Sequence, residues 1–273
     1  MNTLRKMIEK INTEINFTGE LRFDESMAAH TTFKVGGPAD LWIKPEGDLF
    51  PRYTAVLLKQ AWSYGIPVFI LGGGANIVVA DRGIRGIVLD TSGWTGWSFL
   101  PPANGDHGAW ICMGIRSGTT VDAAAEAAAG LGLGGLEFLA GMPGSVGGAV
   151  WMNARCYERS VSDILIQTEF LDAACILREV PFRAEDFSYK KSPFQDMPGL
   201  ILSARLRLVP RNREDIRAEM EKHRRDRERK GHYRYPSAGS VFKNNREFGK
   251  PTGKIIDELG LRGLRQGGAA VAD

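Results

Sequence analysis

Leu71-Gly72-Gly73-Gly74-Ala75-Asn76-Ile77-Val78-Val79-Ala80-Asp81 decides how this chain of 273 residues is to be read. Val68-Phe69-Ile70-Leu71, which leads into it, is β-branched and aromatic and reads as a buried strand. Ile77-Val78-Val79, which leads out, reads as a second strand. A second glycine-rich loop follows later, Gly141-Met142-Pro143-Gly144-Ser145-Val146-Gly147-Gly148-Ala149. Glycine lets backbone N–H groups approach a ligand with no Cβ in the way, and successive inward amides make an anion nest suited to a diphosphate. Either loop alone is read equally well as a tight turn or a close packing contact. Two in one chain favour a diphosphate-bearing cofactor between strand-loop-strand elements. A Rossmann site is excluded, because Ile77 stands where the third glycine belongs and no helix opens there. No G-x-x-x-x-G-K-[ST] run occurs either.

Outward from these loops the pattern is mixed. Leu41 to Lys44 reads as a short strand, Thr54 to Tyr64 as a helix stopped by Gly65, and Ile87 to Leu89 as a further apolar run. Thr119 or Thr120 can cap a helix over Ala123–Ala129 that ends at Gly130. Residues 164–180 suggest a hairpin. Leu202, Ala204, Leu206 and Leu208 alternate with polar residues as in a half-buried strand. A charged helix from Asn212 to about Lys230 then reads as a solvated bridge into a last segment. The fold class is α+β, and no repeat of solenoid length is present.

Composition bounds the function. Hydrophobic residues are 43% and charged residues 25%, ordinary for a globular protein. Cys112, Cys156 and Cys175 form no C-x-x-C pair, which fits a reducing, cytoplasmic location. The N-terminus lacks the apolar stretch of a signal peptide. Residues 61–80 carry no charge, but Gly65, Pro67 and Gly72–Gly74 interrupt them, so no membrane span is expected. The net charge of +3 is concentrated in residues 211–230, where acids and bases interleave at helical spacing. A nucleic-acid partner is therefore not expected. His30, His107, His223 and His232 are scattered and no H-E-x-x-H occurs, so no metal is expected. Gly144-Ser145-Val146-Gly147 is not a nucleophile elbow.

Five segments in order resemble one family: His30 to Asp40 (HTTFKVGGPAD), Gly72 to Asp81 (GGGANIVVAD), Gly135 to Ala154 (GLEFLAGMPGSVGGAVWMNA), Phe187 to Ser192 (FSYKKS) and Tyr235 to Asn244 (YPSAGSVFKN). The family is UDP-N-acetylenolpyruvoylglucosamine reductase, in its shorter form without the extra inserted loop. The resemblance implies a two-lobed FAD-binding domain of the PCMH or vanillyl-alcohol-oxidase type, over residues 17–210 with lobes of about 17–89 and 90–210. It is preceded by a leader (1–16) and followed by a smaller substrate-binding domain (211–273), incomplete at its C-terminal end. The implied reaction passes hydride from NADPH through FAD to UDP-N-acetylglucosamine enolpyruvate, giving UDP-N-acetylmuramate for peptidoglycan synthesis. The implied flavin residues are Gly72, Gly73, Gly74, Ala75, Asn76, Gly141, Pro143, Gly144, Ser145, Gly147, Gly148 and Asn153. Ser240 is the implied proton donor and Lys190 the enolate-stabilising cation, with Tyr189, Lys230 and Asn244 on the substrate. A monomer is expected.

The chain departs from the family at informative places. Lys190 stands where arginine is usual, keeping the charge and losing the planar fork. Gly231-His232 replaces Gln-Pro after Lys230, and Arg155, Cys156 and Glu158 replace smaller residues around Tyr157. The sequence stops at Asp273, ahead of the family's final segment with its catalytic glutamate, so a fragment is expected. The alternative is a flavin-binding relative without this activity, through Lys190 and the missing segment.

Overall fold

The computed structural model describes residues 2–100 and 110–271, so His107 lies outside the described residues. By contacts the chain divides into Met1–Ser237 and Ala238–Asp273. The division falls after the charged helix, not before it.

In the first unit, helix α1 (Asn2–Glu14) occupies the stretch expected as a leader. Its Leu4, Met7, Ile8 and Ile11 are buried, one helical stripe that packs into a core. Strand β1 (Gly19–Ser26) runs antiparallel to β2 (Pro38–Pro45). Helix α2 (Phe50–Ser63) starts before Thr54 because Pro51, with φ already helical, fits its first turn. Its end is turned by Gly65 at φ +66°. Strands β3 (Val68–Leu71) and β4 (Ile84–Asp90) complete a sheet of order β1-β2-β4-β3, with β4 parallel to both neighbours. Ile77-Val78-Val79, expected as a strand, pairs with no strand of this sheet. The segment is held by Gly37 N–H donating to the Ala80 carbonyl (3.0 Å), with Val79 packed on Gly36.

The second lobe is a six-stranded sheet. Strands β5 (Trp97–Leu100) and β6 (Ile111–Arg116) pair antiparallel, and helix α3 (Val121–Gly130) follows. The Thr120 hydroxyl caps α3 by accepting from Ala123 N–H at 3.1 Å. Strand β7 (Leu133–Gly134), helix α4 (Val146–Trp151) and the small hairpin β8 (Arg155–Cys156) and β9 (Arg159–Ser160) come next. Strands β10 (Leu165–Leu171) and β11 (Leu177–Pro181) form the hairpin expected at residues 164–180. Strand β12 (Leu200–Pro210) completes the order β11-β10-β12-β6-β5, with β7 beside β12. The β10–β12 register shifts between Glu169↔Ser203 and Phe170↔Ile201. This bulge at Leu202 reverses side-chain parity. Leu202 therefore packs with the first lobe's core, while Ala204, Leu206 and Leu208 pack with the second's.

Helix α5 (Arg213–Arg229) carries the charged stretch, capped by the Asn212 side chain on Glu214 N–H (2.7 Å). It is not solvated all round. Ile216, Met220, His223 and Arg227 are buried on one face. The second unit holds helix α6 (Thr252–Glu258) and the short hairpin β13 (Arg265–Gln266) and β14 (Ala269–Ala270). Among the described residues no helix is long and apolar enough to cross a membrane.

Candidate active site

Three loops of the first unit meet at the ends of β3 and β4. Gly73 runs against the second glycine loop so closely that a Cβ on it would lie 2.7 Å from Gly144 Cα. Gly74, at φ +61°, abuts the His30 carbonyl, where a Cβ would come within 2.1 Å. Thr32 N–H donates back to the Gly74 carbonyl at 3.1 Å, tying the HTTFKVGGPAD segment to the first glycine loop. His30 is fixed in turn by stacking on Trp42 (centroids 4.4 Å apart) and by a 2.9 Å contact from Nε2 to Glu25.

The glycines fall into two kinds. Gly72 and Gly147 are packing positions: a Cβ on the first would lie 2.5 Å from Ser145 Oγ, and on the second 2.8 Å from Ser117 Cβ. Gly147 N–H donates to the Ser117 carbonyl and Gly148 N–H to Ser145 Oγ. The N–H groups of Gly73, Gly74, Ala75, Asn76, Gly144 and Ser145 donate to no acceptor among the described residues. Pro143 has no N–H and separates Met142 from Gly144. Two adjoining backbone runs thus offer donors and no carboxylate, the chemistry a flavin dinucleotide's diphosphate requires. The residues fit FAD.

Asn153 is 4% exposed and sits at φ +44°. Its Nδ2 donates to the Ser188 carbonyl (2.9 Å) and its Oδ1 accepts from Ser162 N–H (3.1 Å). Its side chain thereby positions the segment that carries Tyr189 and Lys190. Ser188 and Lys191 pair with each other through both backbone bonds, leaving Tyr189 and Lys190 at the tip of a two-residue turn. Lys190 takes φ +57°, a region an L-residue occupies at a cost, and its carbonyl accepts from Gln195 Nε2 at 3.1 Å. Its ammonium lies 5.7 Å from the Tyr189 ring centroid.

Lys230 follows α5 as its C-cap. Its Nζ meets Asp226 Oδ2 at 2.6 Å and lies 5.9 Å from the Tyr157 ring centroid. The Tyr157 hydroxyl donates to the same Asp226 oxygen at 3.1 Å, and its ring stacks on His223 with centroids 3.8 Å apart. Hydrogen bonds from Lys230 first, then Arg229 and Tyr157, hold the Asp226 carboxyl well below the usual carboxylate range. Burial pushes the His223 imidazole down and the Cys156 thiol up.

Ser240 and Asn244 belong to the second unit. Ser240 is exposed directly after Gly239, which turns the chain at φ +84°. Asn244 Oδ1 accepts from Thr252 N–H at 2.9 Å, at the first turn of α6.

The comparisons with known proteins agree with this arrangement. Residues 54–179 match the FAD binding domain model, and residues 231–273 match the model of the UDP-N-acetylenolpyruvoylglucosamine reductase C-terminal domain. The reductase of that name from Treponema denticola is 35% identical over 100% of this chain and 85% of its own length. The chain belongs to the UDP-N-acetylenolpyruvoylglucosamine reductase family. The Borreliella burgdorferi reductase is 37% identical, over 99% of this chain and 83% of its own. The crystal structure of the Thermus caldophilus reductase superposes with a TM-score of 0.69 at 31% identity, covering 94% of this chain and 85% of that one. A solvent-stable cholesterol oxidase, 17% identical with a TM-score of 0.52, covers 71% of this chain and 39% of its own. It shares the fold of the two-lobed flavin domain alone.

Arg227 and Asp226 have no place in the motif reading of this reductase-family chain. The signal was present in the spacing of Ile216, Met220, His223 and Arg227, one helical face on which two polar residues continue an apolar stripe.

Proposed function

We propose that this chain, a flavoprotein oxidoreductase of its family, reduces the enolpyruvyl group of UDP-N-acetylglucosamine enolpyruvate, giving UDP-N-acetylmuramate for peptidoglycan synthesis. NADPH is the electron donor, and the setting is cytoplasmic. The single observation that carries the reading is family membership over nearly the whole chain, with both glycine loops meeting and the N–H groups of Gly73–Asn76, Gly144 and Ser145 donating to no acceptor among the described residues.

FAD, when bound, supplies the two-electron relay between NADPH and the substrate's double bond. Gly73–Asn76 and Gly144–Ser145 hold its diphosphate through their N–H groups. Hydride added at the terminal CH₂ carbon leaves an electron pair on the carbon beside the carboxylate. Lys190, carried on its own turn, stabilises that charge. Ser240 holds the proton that the carbon takes up. A serine hydroxyl is a weak acid, but the acceptor carbon is strongly basic, so position outweighs acidity. Lys230 faces the substrate's diphosphate, held by Asp226 and Tyr157. Tyr189 and Asn244 contact the remainder of the nucleotide sugar. The enzyme acts as a monomer, which light scattering at micromolar concentration tests.

Flavin absorbance of the purified protein, followed by NADPH oxidation with and without the enolpyruvyl UDP-sugar, tests the reaction. Flavin binding with substrate-dependent NADPH consumption is expected. Bound flavin with no dependence on the sugar would overturn it. Ser240→Ala is expected to lower kcat by roughly 10²- to 10⁴-fold, the usual worth of a positioned proton donor. Flavin content and flavin reduction by NADPH stay unchanged.

A further inference from the structure

Arg227 stands in an unusual electrostatic position. It is 6% exposed, yet among the described residues it makes no ion pair. Its contacts are all to neutral groups. Nε donates to the Ala140 carbonyl at 3.0 Å, and Nη2 donates to the Phe138 carbonyl at 3.4 Å and to Cys156 Sγ at 3.3 Å. The Cys156 thiol is held in its neutral form by burial, so it does not balance the charge. The guanidinium carbon lies 5.2 Å from the Tyr157 ring centroid, a favourable but partial compensation.

Of the acids nearby, Asp122, Glu126 and Asp226 are engaged elsewhere, and Glu228, which lines the hollow at Gly141–Pro143, forms no ion pair with Arg227 among the described residues. Asp122 meets Arg224 at 2.7 Å and also accepts from Gly141 N–H at 2.7 Å, and Glu126 meets Arg224 at 2.6 Å. Asp226 meets Arg229 and Lys230, each at 2.6 Å. A cation removed from water and left without a counter-ion is costly unless something anionic completes the site. Arg227 lies directly beneath the start of the second glycine loop: a Cβ on Gly141 would lie 3.3 Å from Arg227 Cδ. That loop continues into Gly144 and Ser145, whose N–H groups have no acceptor among the described residues.

We propose that Arg227 is a cofactor-retaining residue, a buried cation behind the Gly141–Ser145 loop whose missing counter-charge is the diphosphate of FAD. The inference rests on the flavoprotein reading above and adds a residue and an electrostatic role to it. Arg227 acts through the loop, holding it by the Ala140 carbonyl while its field strengthens the loop's donors.

The test is flavin binding by the apoprotein, read by quenching of flavin fluorescence, for wild type, Arg227→Lys and Arg227→Gln. FAD and riboflavin, which lacks phosphate, are the probes. At an effective dielectric constant of about 20, a unit charge several ångströms away corresponds to a Kd change of about 10- to 100-fold. Arg227→Gln is expected to raise the FAD Kd by that factor, to flatten its dependence on salt between about 50 and 500 mM, and to leave the riboflavin Kd unchanged. Arg227→Lys retains most of the FAD affinity. The apoprotein of Arg227→Gln is expected to be no less stable to urea than wild type, since an uncompensated charge has been removed. Equal losses for both flavins, equal losses in Lys and Gln variants, or an apoprotein destabilised in step with the affinity loss would each overturn the proposal in favour of a structural tie. If wild type binds no flavin, the flavoprotein reading itself fails, which is a separate outcome.

Discussion

Lys190 combines a left-handed backbone with a side chain that departs from the family's arginine. Its turn is fixed from outside, by Asn153 on the Ser188 carbonyl and Gln195 on its own carbonyl. The ammonium is therefore placed by the backbone, while the flexible stem leaves its final position loose. Lys190→Arg is expected to raise kcat, and Lys190→Ala to lower it tenfold or more with flavin content unchanged. Steady-state kinetics with both variants checks this, and an unaltered kcat in Lys190→Arg counts against the assignment. Gly73 makes a different kind of demand. A methyl group there would meet Gly144 Cα at 2.7 Å, backbone against backbone. Gly73→Ala is expected to cost about 1–3 kcal/mol of stability and to weaken FAD binding in the same titration. Both effects come from pushing the two loops apart.

At the scale of elements, α1 and α5 both do more than their charge content suggests. Ile11 of α1 is fully buried, so Ile11→Ala is expected to destabilise the protein by about 2–5 kcal/mol in urea unfolding. A dispensable leader would give no change. Helix α5 docks through His223, whose imidazole lies under Tyr157 and is pushed below its ordinary 6.5 by burial. The unfolded chain then takes up the proton more readily than the folded one. Stability is fully present above pH 6.5 and falls as the pH drops below it. Urea midpoints between pH 8 and 5 are expected to show this decline, and His223→Gln to reduce it, leaving the share of His232, whose imidazole burial also pushes down. Asp226, held low by Lys230 and its neighbours, loses its contribution only in much stronger acid, so the two groups are separable by pH.

For the whole molecule, binding of FAD to the folded state and not the unfolded one links cofactor content to stability. At a free FAD concentration 100 times Kd the gain is about 2.7 kcal/mol. That corresponds to roughly 5–10 °C in Tm for a chain of this size. Thermal scans of the apoprotein with increasing FAD are expected to show this rise, and riboflavin to give less. A Tm independent of FAD would falsify binding at the native loops.

The sequence alone determined the elements whose periodicity is local: the hairpin β10–β11, the Thr120-capped helix, the two glycine loops and the family motifs around them. It could not decide what depends on an occupied partner. Ile77-Val78-Val79 has strand composition, but in the fold it joins no sheet, and the chain just beyond it is tied by Gly37 N–H to the Ala80 carbonyl. Leu202 keeps a clean alternation on paper, yet a bulge turns it into the other core. Arg227 reads as one more charge in a mixed run until the fold buries it among carbonyls. Propensity and spacing are properties of a segment. Pairing capacity, side-chain parity after a bulge and the balance of buried charge are set by residues distant in the chain, so they exist only once the chain has folded.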